Sequence, residues 1–167
     1  MRRVFPGLFL AVVAVTSLWG QSTAMPLTSG ETVSGRRIVL AEALRGHTSV
    51  LVMSFRRAAG NGSNAWGMSV RADAALGGVS VYQAAMLEAA PGLVRGVIKN
   101  AMRKGLTASE QDNFVILTQD EKLWRSYFGV TAEKDPYVEL IDAAGQVRWH
   151  GHGEARDLEP LLKAALK

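Results

Sequence analysis

Cysteine is absent from the 167 residues of this sequence. Its absence excludes thiolate nucleophiles, C-x-x-C redox pairs and thiolate metal sites. It also excludes the disulfide bonds that stabilise many small proteins of oxidising compartments, so the fold must be held by its hydrophobic core. Hydrophobic residues make up 48% of the sequence and charged residues 20%, a globular composition that allows such a core.

The sequence also lacks the motifs of several enzyme classes. No serine lies in a G-x-S-x-G context. There is no P-loop, no G-x-G-x-x-G after a predicted strand, and no pair of carboxylates beside a recognisable cleft. These absences favour a protein that has neither catalytic activity nor a cofactor.

Neither positive nor negative charge dominates the sequence. The net charge of +4 at pH 7 falls to +2 without Arg2 and Arg3, because 17 basic residues then face 15 acidic residues. Nucleic-acid binding requires a concentrated basic face. The charge balance therefore gives no support to nucleic acid as a partner.

The N-terminal segment has the parts of a signal peptide. Arg2 and Arg3 give it a positive start, and Leu8–Leu18 is an apolar run shorter than a typical membrane span. Small residues up to Ala24 fit signal peptidase, so we predict a signal peptide over residues 1–24. In the alternative, residues 4–19 remain as an anchor in the inner membrane. In both cases the folded part of the chain lies in the periplasm.

The rest of the chain alternates strands and helices. Residues 25–35 are rich in Gly, Ser and Thr and are predicted to be a flexible leader, and residues 36–167 form the folded domain. Apolar runs predict strands at 49–55, 79–87, 114–117, 137–141 and 147–149. Helices are predicted through 65–70, from 91 to 105, from 121 to 128 and over 158–166. This alternation predicts parallel pairing, and the closing hairpin makes the sheet mixed.

Local signals define the ends of several elements. Thr118 to Glu121 fits a helix capping box, and Gly105 ends the preceding helix. Asp142 to Gly145 is typical of a hairpin turn. Asp157 is predicted to cap the last helix.

The order of elements resembles the thioredoxin fold, a three-layer α/β sandwich whose mixed central sheet is flanked by helices. In that family the loop after the first core strand carries the two redox cysteines. Here Ala59 and Gly62 stand at about those positions, so the resemblance implies a redox-inactive member. The family also places a proline, usually cis, before its fourth strand, where this chain has Asp135-Pro136. The sequence leaves the isomer open.

A closer resemblance covers about Pro136 to Ala155. The segments are YVELID at 137–142, GQVRW at 145–149 and GHGEA at 151–155. They resemble the assembly-factor family of the mitochondrial ATP synthase. The resemblance implies a non-enzymatic, thioredoxin-like chaperone for the membrane-embedded part of that complex. Its partner would be a protein client such as a membrane-complex subunit.

Two features are candidate client contacts. The surface between the loop after the first core strand and Pro136 is expected to hold an extended client segment by main-chain pairing. Arg148 lies on the strand of the family motif with Trp149, which is expected to pack inward while Arg148 faces out. In the alternative, the arginines of the loop bind a small anion. The loop residues are Arg56, Arg57, Gly60 and Asn61.

The predicted helix over 91–105 has a basic side. Arg95, Lys99 and Arg103 are four residues apart, behind an apolar stripe that is expected to face the core. The basic side is therefore predicted to face an anionic membrane surface or an acidic partner. The alternative is an ordinary solvated helix face.

Two histidines are weak candidates for a metal site. His150 and His152 would share one face of a strand, with Glu154 as a third ligand, and a metal-dependent enzyme is the resulting alternative function. However, Gly151 and Gly153 lie between these residues and favour a turn. We therefore predict no metal site and solvent-exposed imidazoles in a glycine-rich loop.

Overall fold

A computed structural model describes residues 24–156 and 158–165. Seven strands form one sheet in the order β2-β1-β5-β4-β3-β6-β7. β3, β4 and β5 are parallel, whereas β1 and β6 run antiparallel to their neighbours, so the predicted mixed sheet is confirmed. The strands are β1 (Ser29–Thr32), β2 (Arg37–Val39), β3 (Ser49–Ser54), β4 (Ser80–Met86), β5 (Phe114–Leu117), β6 (Tyr137–Ile141) and β7 (Val147–His152).

Helices cover the two faces of the sheet. Short 3-10 turns at Arg57–Ala59 and Ala74–Leu76 flank the second helix. In the described part of the chain, no helix has the length and apolar character needed to cross a membrane. The helices are α1 (Leu40–Ala43), α2 (Gly60–Ala72), α3 (Gly92–Gly105), α4 (Ala108–Asn113), α5 (Glu121–Phe128) and α6 (Glu159–Ala165).

The central strand β3 is buried on both faces, as its continuous apolar run predicts. Leu51 and Met53 pack with Trp124 of α5 on one face. Val50 and Val52 pack with Trp66 of α2 on the other. The two core layers are thus built from alternate residues of one strand.

The segment predicted to be a flexible leader contains β1. Thr32 and Val33 are fully buried, and Thr28 Oγ1 donates a hydrogen bond of 2.8 Å to Asp120 Oδ2. A Cβ at Gly30 would lie 2.6 Å from Val115 Cγ1, so only glycine allows β1 to approach β5 this closely. The polar composition indicated a loop, but these residues form part of the sheet.

Several local predictions differ from the structure. Asp120 adopts a left-handed conformation (φ 64°), and the Glu121 amide donates to Glu88 Oε2 at 2.6 Å, so the expected capping box at residues 118–121 does not form. A capping box instead joins Thr107 and Glu110 at α4, a helix that the sequence did not reveal. The described residues contain no cis peptide bond, which makes Asp135-Pro136 trans.

Two other local predictions have different outcomes. The hairpin turn is confirmed, with Asp142 Oδ1 accepting hydrogen bonds of 2.9 Å from the Ala144 and Gln146 amides. Gly145 has a positive φ of 82°, as a turn of this kind requires. The predicted cap at Asp157 and the predicted signal peptide, apart from Ala24, lie outside the described residues.

Candidate functional site

The loop between β3 and α2 is closed where thioredoxin-like proteins carry their redox pair. The Ala59 side chain is buried, with 1% of its surface exposed. A Cβ at Gly62 would lie 3.1 Å from Cδ of Pro136, so the α2 backbone packs directly against the proline ring. Neither position carries a group able to act as a nucleophile, and thiol redox chemistry is excluded here.

Arg56 is engaged within the protein. Its Nη1 lies 2.6 Å from Glu121 Oε1, and its Nε lies 3.6 Å from Glu133 Oε2. Arg125 pairs with the same two carboxylates, at 2.9 and 2.7 Å. Burial opposes ionisation of Glu121, yet the hydrogen bonds from Arg125 and Arg56 bring the pKa of its carboxyl below the usual value. An anion placed between Arg56 and Arg57 would have to compete with both carboxylates.

Arg57 differs from its neighbour. It is exposed, and its side chain has neither a hydrogen bond nor an ion pair with another residue in the described part of the chain. Asn61 is also exposed, and no atom lies within 4 Å of a Cβ built at Gly60. Of the two loop arginines, Arg57 is therefore the one available to a partner.

Pro136 is not available for the expected main-chain pairing. The proline is buried, and its carbonyl oxygen accepts a hydrogen bond of 3.1 Å from the Gly153 amide. β7 runs to His152, three residues beyond the predicted strand, and so covers the position where we expected a client segment. The extended pairing predicted at Pro136 is therefore wrong, because the chain itself fills that position.

The basic side chains of helix α3 contact the fold, whereas the sequence predicted that they face away from it. Arg95 Nε donates to the Ala90 carbonyl oxygen at 2.7 Å, and Arg103 Nη2 donates to that of Val33 at 2.9 Å. Lys99 forms an ion pair with Glu31 of β1. The basic side chains thus hold the helix against the fold and are not free to meet a membrane or an acidic partner.

The apolar side of α3 is only partly covered: Ile98 and Met102 are half-buried, but other residues of this side are exposed. Leu93 is 91% exposed, Val97 is 70% exposed and Val94 is 45% exposed. None of the α3 residues is buried. Amphipathic spacing shows that a helix has two different faces, but it did not show that the basic face of α3 also contacts the protein.

A groove of about 580 Å³ lies beside this apolar helix face. Its walls are largely apolar, and its polar end is formed by the start of α2 and the end of β3. Ser54 is 7% exposed, and its Oγ has no hydrogen-bond partner among the described residues. The side chains that define the apolar part include Ala85, Met86, Phe114, Val94, Ile98 and Met102.

A second cavity of about 330 Å³ lies between α5 and the β6–β7 hairpin. Glu139 on β6 is 4% exposed and accepts a hydrogen bond of 2.9 Å from the Tyr127 hydroxyl. Burial raises the pKa of Glu139 to about 7, against the lowering effect of the Tyr127 hydrogen bond. The same burial raises the pKa of Tyr127, as does the negative charge of Glu139.

His150 and His152 line this second cavity. Both belong to β7, so the predicted turn is wrong, and the two imidazoles lie on one face of a strand. His152 Nδ1 is 2.9 Å from Asp135 Oδ2, whereas Glu154 pairs with Arg156. Within residues 24–156 and 158–165, no three His, Asp or Glu side chains are placed to hold a metal ion.

The remaining motif residues pack as predicted. Trp149 lies under α6 and contacts Trp66, with ring centroids 6.1 Å apart. Arg148 faces solvent, but its Nη2 lies 2.5 Å from Asp142 Oδ2. That ion pair stabilises the hairpin, so a contact of Arg148 with a partner stays a prediction.

Sequence reasoning missed both the groove and Glu139. Glu139 stands alone in the apolar strand segment YVELI, and a single carboxylate in such a run is the signal that could have identified it. The groove had no comparable signal, because it depends on the orientation of α3.

The fold and the closed loop define a thioredoxin-like protein without redox cysteines. Solved structures of similar fold include the exposed lipoprotein thioredoxin Etrx1 of Streptococcus pneumoniae, with 17% identity, TM-score 0.55, and coverage of 83% of this chain and 98% of that one. A thioredoxin-family thiol:disulfide interchange protein of Chlorobium tepidum has 20% identity, TM-score 0.52, and coverage of 89% and 99%. Yeast Sco1 has 14% identity, TM-score 0.55, and coverage of 88% and 94%. At these identities the likeness shows the fold alone.

The sequence also matches a protein family directly. Residues 12–166 match the family described as ATP10 protein, and the chain belongs to this family of ATP synthase assembly factors. No curated protein sequence matches the chain. Family membership confirms the resemblance drawn from the β6–β7 hairpin.

Proposed function

We propose that this protein acts in the periplasm as a non-catalytic assembly factor that holds a subunit of the membrane-embedded part of the ATP synthase. The observation that carries the proposal is the apolar side of α3, which lies exposed beside the groove. Family membership supports the role in ATP synthase assembly.

Exposed apolar side chains are the expected contact for such a client. Single exposed apolar residues are normal on soluble proteins, but a continuous apolar patch beside a groove marks an interaction site. Leu93, Val94 and Val97 form such an exposed patch on α3, and Val94 and Val97 also line the groove. Each square ångström of apolar surface removed from water contributes about 25 cal/mol, so covering this patch would favour association.

The path of the chain supports a site near the membrane. Thr32 of β1 pairs with Val115 of the antiparallel strand β5, so the chain enters the sheet at the carboxyl end of β5. β4 is parallel to β5, and α3 begins just after the carboxyl end of β4. A segment before Ala24 that is held at the membrane would therefore leave the sheet at the edge where Leu93 lies.

The loss of redox chemistry supports binding without catalysis. Ala59 and Gly62 occupy the region where the fold otherwise carries cysteines, and Gly62 packs on Pro136. The site offers a client an apolar surface and one available arginine. These groups provide apolar contact and charge complementarity, but neither is a nucleophile that could form a bond with the client.

In-cell photo-crosslinking tests this proposal. A photo-reactive phenylalanine derivative at Val97 on α3 would be compared with the same residue at Lys163 on α6, which is also exposed. We expect the probe at Val97 to capture one subunit of the membrane-embedded complex, and the probe at Lys163 to give background. Identical capture patterns from the two positions would refute the proposed site.

A further inference from the structure

We infer that the groove binds an apolar segment of the client polypeptide that carries a carboxylate, and that this carboxylate pairs with Arg57. The inference rests on the proposed function and specifies the chemistry of the client at the same site. It depends on three observations: the apolar walls, the unpaired arginine at one end, and the unsatisfied Ser54 hydroxyl beside it.

The apolar walls of the groove favour an occupant that is mostly apolar. Ala85 and Met86 from β4 and Ile98 and Met102 from α3 leave a groove of about 580 Å³ between the two elements. A volume of this size accommodates several aliphatic side chains, as in other clefts that bind apolar ligands. A polar occupant would lose its hydration there without gaining hydrogen bonds from these side chains.

The polar end of the groove favours an occupant that carries a negative charge. Arg57 and Arg56 both line the groove, but the charge of Arg56 is compensated by Glu121 and Glu133. Arg57 has no such partner among the described residues, so it presents an uncompensated positive charge at the end of an apolar groove. A carboxylate is the client group that pairs with a guanidinium in two-pronged geometry.

Two further features of this end favour an acceptor. Helix α2 has 13 residues, no side chain caps its N-terminus, and the positive end of its dipole lies at this end of the groove, which Gly60 lines. Ser54 Oγ, buried and without a partner in the described part of the protein, also lines the groove. The Arg57 guanidinium and the Ser54 hydroxyl are both hydrogen-bond donors, and a carboxylate can accept from either.

The extent of the apolar surface favours a polypeptide over a fatty acid. A single acyl chain with its carboxylate at Arg57 would fill the groove but leave the outer side of α3 uncovered. Leu93 and Val97 are the most exposed large apolar residues of α3: Val97 lines the rim of the groove, and Leu93 extends the apolar surface beyond it. A polypeptide segment can cover both the groove and this outer side.

Peptide binding to the purified protein tests the inference. The probes are three fluorescein-labelled peptides with the same leucine- and valine-rich sequence and one variable residue, either Glu, Gln or Lys. We expect the Glu peptide to bind about tenfold more tightly than the Gln peptide in fluorescence anisotropy, and the difference to shrink with added salt.

Two variants that each remove one positive charge locate the contact. Arg57→Gln should abolish the preference for the Glu peptide. Lys104→Gln is the matched control, because Lys104 is exposed on α3, has no partner among the described residues and does not line the groove. It should leave the preference intact. In Arg57→Glu, the Lys peptide should become the preferred ligand.

Other results would overturn the inference. Equal binding of the three peptides, or no binding of any, would show that no carboxylate is recognised here. Binding of oleate that excludes every peptide would assign the groove to a fatty acid. Specific crosslinking from Val97 in cells together with either of these results would leave the proposed function standing and remove only the inference about the carboxylate.

Discussion

The hydroxyl of Tyr127 on α5 donates a hydrogen bond of 2.9 Å to the buried carboxyl of Glu139 on β6. It is the only hydrogen bond that this carboxyl receives from a side chain within the described residues, although Glu139 is 4% exposed. Burial with so little compensation disfavours the charged form and raises the pKa of Glu139 from 4.5 to about 7. In the folded protein the carboxyl therefore keeps its proton at mildly acidic pH.

This relationship predicts a pH-dependent stability. Between pH 4.5 and 7 the folded state binds more protons at Glu139 than the unfolded state does, so the free energy of unfolding falls as the pH rises. The difference between the two pKa values corresponds to a loss on the order of 3 kcal/mol from this group. Glu139→Gln should therefore be more stable than the natural protein at pH 8, and the two should be similar at pH 4.5. Urea unfolding across this pH range measures the difference.

The control for this prediction is Glu154→Gln, which removes a carboxylate that is exposed on the surface. His150 and His152 line the same cavity and are present in the natural protein and in both variants, so their contribution is common to the comparison. If the free energy of unfolding of Glu139→Gln keeps the same dependence on pH as the natural protein, the carboxyl is not protonated in the fold.

The contact between Gly62 and Pro136 predicts a second effect on stability. A Cβ at residue 62 would lie 3.1 Å from the proline ring and force it to shift, whereas a Cβ at residue 60 meets no atom within 4 Å. We expect Gly62→Leu to lower the free energy of unfolding by about 1–3 kcal/mol, as overpacking does. Gly60→Leu should be neutral or stabilising, because it removes a glycine from the same helix. Equal effects of the two variants in urea unfolding would contradict the close packing.

Much of the fold follows from the sequence, because buried parallel strands produce continuous apolar runs. β3, β5 and β6 were located in this way, and the hairpin turn followed from Asp142 and Gly145. β1 was missed, since the signal for it was weak. Its exposed residues alternate with buried ones, and Gly30 allows β1 to approach β5 closely.

The candidate site was harder to predict because it depends on tertiary contacts. Ala59 and Gly62 did show that the redox pair is lost, and the arginines of the loop were identified. However, the sequence could not show that Arg56 is bound by Glu121 and Glu133, residues distant in the chain. Nor could it show that Gly153 occupies the main-chain position at Pro136.

The link between α2 and the end of β7 gives a third prediction. Trp66 Nε1 donates a hydrogen bond of 2.8 Å to the Gly153 carbonyl oxygen, and its ring contacts Trp149. Trp66→Phe would keep most of the apolar contact but remove the donor. We expect the free energy of unfolding to fall by about 1–3 kcal/mol, because a partly buried carbonyl loses its partner. Met68→Ala on the same helix, at a side chain that is 68% exposed, should have almost no effect in the same urea titration.

The last prediction concerns the orientation of α3. It distinguishes the orientation seen in the structure from the one expected from the sequence. Because Val97 is 70% exposed, Val97→Ser should change the free energy of unfolding by less than about 0.5 kcal/mol, as exposed substitutions usually do. Arg103→Ala should cost about 1–3 kcal/mol, because the Val33 carbonyl loses its charged donor. An inward apolar side would reverse this order, since Val97→Ser would then place a hydroxyl in the core and Arg103→Ala would alter only a solvated side chain. Thermal and urea unfolding of the two variants therefore decide which side of α3 is free to meet a client.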